Sequence, residues 1–106
     1  MKIISEPATL ILLLKRYKFD KTQYLKKNNE VKCPKQLHLP SGSIFTMSSV
    51  INHFGETPEE GHYNVLLYNK LNDTFLSLDD MKITSYSSVP EDFLKSHYIA
   101  VYHKTI

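Results

Sequence analysis

One histidine and two aspartates carry the most legible chemistry in the chain. Gly61-His62-Tyr63 stands where a stretch with three glutamates, Gly55 to Gly61, gives way to an apolar run, and Leu78-Asp79-Asp80 closes the following run. The spacing of His62 and Asp79 suits two strands and a turn, which would return the carboxylate beside the imidazole. A carboxylate bonded to one ring nitrogen fixes the tautomer and leaves the other nitrogen as a base. That is two-thirds of a nucleophilic triad. On these residues alone, a surface histidine paired with an aspartate is the plainer reading.

No other residue competes. Cys33 is the single cysteine, lying between Lys32 and Pro34. It excludes an internal disulfide, reads as a small buried apolar residue and suits a reducing intracellular compartment, cytoplasm or nucleus. His53 reads as a hydrogen-bonding residue of the sheet. His38, His97 and His103 lack metal-ligand spacing, so neither metal nor cofactor is expected. Lysines 15, 18, 21, 26 and 27 cluster without an aromatic platform, and the net charge is only +2, so nucleic acid is not an expected partner. Nor is a membrane: no apolar run approaches the ~20 residues that span a bilayer, and Met1 to Pro7 lacks the pattern of a signal peptide.

The elements that must position these residues are mostly strands. At 106 residues, 42% hydrophobic and 23% charged, the chain suits one globular domain. Thr9 to Phe19 reads as one long strand, its first half buried on both faces. Asp20 to Glu30 reads as a solvated hairpin connection, with a turn at Asn28-Asn29. Pro34 restricts Val31 to Leu39 to an irregular or edge strand. Pro40-Ser41-Gly42 marks a turn, and Ile44 to His53 reads as a half-buried strand with Phe45, Met47, Ser49 and Ile51 on one face. Gly55 to Gly61 has the composition of an exposed loop. Tyr63 to Asn69 and Thr74 to Leu78 form a hairpin around Leu71-Asn72-Asp73, followed by a short strand, Met81 to Ile83. Ser88 can cap a short helix with Pro90 in its first turn, and Tyr98 to Tyr102 closes the sheet. The fold class is α+β, a mostly antiparallel sheet of about six or seven strands with one short helix. One helix cannot cover such a sheet, so further covering mass is expected from a partner or another portion of the protein.

Six blocks, in order, resemble the ubiquitin-specific proteases. Glu6 to Tyr17 resembles the strand with an apolar run and a Leu-Lys-Arg-aromatic ending. Val31-Lys32-Cys33-Pro34 with Leu37 and Leu39 resembles Val-x-Phe-Pro followed by Leu-Asp-Leu. Phe45 to Gly55 resembles aromatic-x-Leu-x-x-Val-Ile-x-His-x-Gly, and Gly61-His62-Tyr63 resembles the histidine box. Phe75 to Asp80 resembles Trp-x-x-Phe-Asp/Asn-Asp, and Tyr98 to Tyr102 resembles the closing Tyr-x-Leu-Phe-Tyr strand. The departures are Phe75 for Trp, Leu78 for Phe, His38 for Asp and Cys33 for Phe. None touches His62, Asp79 or the glycines.

The resemblance implies that residues 1–106 are the C-terminal, palm-like part of a papain-like cysteine protease domain. It implies cleavage after the C-terminal glycine of ubiquitin, with ubiquitin or ubiquitinated proteins as partners. His62 becomes the general base, Asp79 the residue that orients it and Asp80 a supporting acid. Gly55, Gly61 and Tyr63 become the substrate-binding residues that shape a channel for the ubiquitin tail. The family's cysteine box, Gly-Leu-x-Asn-x-Gly-Asn-Thr-Cys-Tyr, has no counterpart here, nor do its paired Cys-x-x-Cys motifs. The chain is therefore expected to be inactive alone and to need the missing N-terminal part of the catalytic domain. The alternative is a non-catalytic ubiquitin-binding or scaffold module with the same fold.

Overall fold

The computed structural model describes residues 7–20, 23–27, 29–57 and 60–105. Among these, nine strands and one short helix follow in the order β1 (Thr9–Leu13), β2 (Tyr17–Asp20), β3 (Gln23–Lys26), β4 (Gln36–His38), β5 (Ile44–Thr57), β6 (Glu60–Asn69), β7 (Thr74–Asp79), β8 (Lys82–Tyr86), α1 (Glu91–Leu94) and β9 (His97–Lys104). The main sheet runs β1-β9-β5-β6-β7-β8, every pair antiparallel. β4 pairs with β5 at residues 44–46, before β6 begins its pairing at Ser49. β2 and β3 form a separate hairpin. The expected mostly antiparallel α+β architecture is what the chain adopts.

The expected long first strand is instead two short ones. β1 ends at Leu13, and Arg16 turns inward, almost wholly buried. Its guanidinium donates to the carbonyl oxygens of Lys27, Asn29, Leu94 and His97. Among the described residues four carbonyl acceptors, and no carboxylate, satisfy this buried cation, and they bind the β2–β3 hairpin to the end of α1 and the start of β9. β1 is an edge strand with alternating burial, so Ile11 and Leu13 are 65% and 61% exposed rather than buried. The Asp20 to Glu30 connection contains β3; the Asn28 of its expected turn lies outside the described residues.

β5 also departs from simple alternation. Its register against β9 shifts between Met47 and Ser49, and an extra residue in one strand reverses which side chains face inward. Phe45 and Met47 are buried before the shift, Val50 and Asn52 after it, leaving Ser49 and Ile51 on the other face. With Leu66, Phe75, Phe93, Ala100 and Tyr102 these apolar residues form the core. The segment 31–35 and α1 lie over that core: Met47 N–H donates to Lys35, Tyr102 hydroxyl to Pro34 and Val31 N–H to Leu94. The helix starts from Pro90 without a side-chain cap, so Ser88 does not play the part expected of it.

The opposite face of the sheet carries a continuous apolar row. Leu13, Ile99, Ile51, Val65, Leu78 and Ile83 are successive cross-strand partners from one edge to the other. Direct partners in an antiparallel ladder project to one side, so six strands contribute one apolar residue each to the same line. Leu67 and Leu76, partners in the adjacent row, are each 36% exposed, and Ile83 is 66% exposed.

Candidate functional site

The pair foreseen in the sequence meets. His62 near the start of β6 and Asp79 at the end of β7 are hydrogen-bonded, Nε2 to Oδ1, at an exposed end of the sheet. Two features put them there. The turn at 70–73 includes Asp73 at φ 53°, a left-handed conformation that aspartate tolerates better than most residues. Side-chain caps reinforce that turn, Leu71 N–H to Asn69 Oδ1 and Thr74 hydroxyl to Asn72 Oδ1. It fixes the β6–β7 register from Asn69–Thr74 through to Val65–Leu78.

The bond through Nε2 leaves Nδ1 as the ring nitrogen for a further partner. An imidazole held by a carboxylate in this tautomer can accept a proton at Nδ1 and return it. Asp80 stands beside them, but not on a continuing strand. β7 ends at Asp79, which pairs with Lys82, making Asp80 and Met81 a two-residue hairpin turn with Asp80 at φ 52°. Ligand atoms of His62, Asp79 and Asp80 lie within 4.8 Å of one another, so these three are the described residues that could converge on a cation.

A buried polar chain floors the site. His97 Nδ1–H donates to Asn52 Oδ1, and Asn52 Nδ2 donates to Asn64 Oδ1 at 2.7 Å. All three are buried, and burial lowers the His97 pKa to about 4. Asn64 lies between His62 and Leu66 on β6, so the strand under His62 is tied to β5 and β9 by side chains as well as by its ladder.

Of the expected loop Gly55 to Gly61, the described residues continue the β5–β6 hairpin, and Pro58 and Glu59 lie outside the described residues. β5 continues to Thr57 and β6 begins at Glu60, with a register shift between Phe54 and Thr57. A Cβ on Gly55 would lie 2.2 Å from the Glu60 carbonyl oxygen, and one on Gly61 2.4 Å from that of Phe54. Gly61 also has φ 126°. Both glycines are therefore required by the hairpin's own backbone. Tyr63 is 47% exposed and stacks on His53, ring centroids 4.4 Å apart.

His53 is the residue whose importance the sequence understated. Its ring is bonded to the Glu60 carbonyl through Nε2 and to the Tyr17 hydroxyl through Nδ1. Cys33 sits elsewhere, against the core, lining a cavity of about 370 Å³ with Met47, Val50, Leu66, Phe75 and His97. Burial pushes its thiol up from the ordinary value, with the Arg16 charge acting in the opposite direction. Such a thiol is a poor nucleophile.

The fold recurs in solved structures. The deubiquitinating module of SAGA, Ubp8/Sgf11/Sus1/Sgf73 bound to monoubiquitin, contains a chain with TM-score 0.77 and 23% identity, over 94% of this chain and 24% of that one. The same module bound to ubiquitin aldehyde gives 0.77 at 20% identity, over 94% and 25%. An essential yeast splicing factor gives 0.73 at 17% identity, over 97% and 26%. This chain thus spans about a quarter of the length of these neighbours. A comparison with curated proteins gave no match. The family model described as ubiquitin carboxyl-terminal hydrolase matches residues 1–102, nearly the whole sequence. By that match, and with the blocks around His62 and Asp79 in their expected order, the chain belongs to the ubiquitin carboxyl-terminal hydrolase family.

Proposed function

We propose that the chain supplies the base and orienting acid of a cysteine-type deubiquitinase, the thiol coming from polypeptide outside residues 1–106. The observation that carries this reading is the His62–Asp79 hydrogen bond at an exposed sheet end, with Nδ1 left for a thiol. His62 Nδ1 takes the proton of the cysteine, and the resulting thiolate attacks the carbonyl carbon of ubiquitin's C-terminal glycine. The imidazolium returns the proton to the departing amine, leaving an acyl-enzyme. Water then attacks that acyl group with His62 again as base. Asp79 holds the ring and stabilises its charged form, and Asp80 supports both. Gly55, Gly61 and Tyr63 border the path of the ubiquitin tail. The apolar row from Leu13 to Ile83 is the surface on which the rest of the catalytic domain would pack. The partners are ubiquitin and ubiquitinated proteins, and the compartment is the cytoplasm or nucleus.

A second reading is a non-catalytic ubiquitin-binding or scaffold module. It is favoured by the partly buried thiol of Cys33, which burial pushes up from its ordinary value, and by the fold neighbour described as a splicing factor. NMR titration of the labelled chain with ubiquitin tests recognition common to both readings. Shifts confined to residues 53–63 and 79–82, and lost with ubiquitin lacking its last two glycines, are expected. No response, or the same response to truncated ubiquitin, contradicts tail recognition.

A further inference from the structure

On the other face of the strand that carries His62 stands a second imidazole, bonded to the frame of the same hairpin. His53 is 1% exposed and pairs with Tyr63 across the β5–β6 ladder, so it projects to the side opposite His62. Beyond Phe54 the register shifts, and the regular ladder no longer fixes the two rails. At that point two side chains take up carbonyls on opposite rails. His53 Nε2–H donates to the Glu60 oxygen at 2.9 Å, and the Tyr17 hydroxyl donates to the Gly55 oxygen at 2.8 Å. The two side chains also meet each other, hydroxyl to Nδ1. With Nε2 protonated, Nδ1 of the neutral ring is an acceptor, and the single Tyr17 proton faces both Nδ1 and the Gly55 carbonyl.

The surroundings hold this arrangement tightly. Tyr63 stacks on the His53 ring, while Tyr17 and Tyr98 pack against it with centroids 5.6 and 5.8 Å away. A Cβ on Gly61 would come within 3.0 Å of Nε2. Tyr17 belongs to the separate β2–β3 hairpin, so the contact joins two sheets beside the end of β5 and the start of β6, just ahead of His62.

We propose that His53 and Tyr17 form a latch that sets the 55–61 hairpin and, through Gly61, the placement of His62. They are positioning residues, and the assignment deepens the reading of His62 as a base, on which it rests. The latch explains why a buried histidine belongs two residues before Gly55: it is the donor that one rail requires where the ladder lapses. Tyrosine at position 17 rather than phenylalanine supplies the bond to the other rail.

The test is amide hydrogen exchange with His62 ring NMR on the 106-residue chain and its Tyr17→Phe, His53→Gln and His53→Leu variants. Tyr17→Phe keeps the ring and removes one hydroxyl. It is expected to raise exchange at residues 60–62 at least about tenfold and to move the His62 ring signals. The Val50 and Leu66 methyl signals should stay in place. His53→Gln, whose amide can donate to Glu60, should retain more protection than His53→Leu. Unchanged hairpin exchange and ring signals in Tyr17→Phe overturn the latch, as does a uniform rise across β7 and β8. Failure of the ubiquitin reading shows separately, as an intact latch with no tail-dependent shift on adding ubiquitin.

Discussion

His62 reaches Asp79 along the diagonal of the β6–β7 ladder. Val65 is the partner of Leu78, so the register continued by one residue puts Asp79 opposite Asn64, and its carboxylate reaches His62 two residues away on β6. The residue it opposes is part of the buried Asn64–Asn52–His97 chain. Asp79 is thereby placed by its strand and floor, while Asp80 lies in the tight turn beyond the strand.

Cys33 sits in the wrong environment for a nucleophile, and the chain alone should release no fluorophore from a ubiquitin conjugate. Release that disappears in Cys33→Ser would refute this. The cavity beside it points to packing instead. Cys33→Phe, the residue type of the family pattern, is expected to fill part of the 370 Å³ space and stabilise the fold. The additional apolar area covered by the ring is worth about 1 kcal/mol. A lower Tm in the variant would count against spare room beside Cys33.

With Leu13 and Ile83 of the apolar row exposed, the chain alone should be marginally stable or prone to associate. Ile83→Lys and Leu13→Lys place charges on residues already 66% and 61% exposed. Both should reduce light scattering with little change in Tm. A monomeric wild-type chain with a cooperative Tm above about 60 °C would contradict an incompletely covered sheet.

His97 sets an acid limit. Its folded pKa of about 4 lies below the ordinary value of 6.5, because burial disfavours the charged ring. The unfolded chain therefore binds the proton first as pH falls. The stability from neutral His97 is complete above about 6.5 and drains away toward pH 4. The loss should reach roughly 2–3 kcal/mol. Chemical denaturation at several pH values would show this slope, and His97→Gln should flatten it. An unchanged slope in the variant assigns the acid sensitivity elsewhere.

Much of the site was legible because it depends on local chemistry. The turn residues at 70–73 and the apolar runs on either side dictate a hairpin, and the hairpin brings Asp79 to His62. What escaped depends on long-range geometry. Arg16 ends β1 by reaching carbonyls as far along the chain as His97, which no local pattern announces. The shift near Ser48 turns Val50 inward in place of Ser49, since β5 must satisfy β9 on one side and β4 and β6 on the other. The Tyr17–His53 contact joins two sheets, so neither residue's neighbours in sequence reveal it.

The most direct measurement is turnover of a ubiquitin–fluorophore by a chimera in which residues 7–105 replace the matching segment of the Ubp8 fold neighbour. The parent chimera is expected to hydrolyse the conjugate measurably, with turnover abolished by His62→Ala and reduced by Asp79→Ala more than by Asp80→Ala. A loss of about 10²-fold or more in kcat is expected for Asp79→Ala. Circular dichroism of each variant separates lost chemistry from lost fold. Hydrolysis that survives His62→Ala, or falls further with Asp80→Ala than with Asp79→Ala, would contradict the assignment of base and orienting acid.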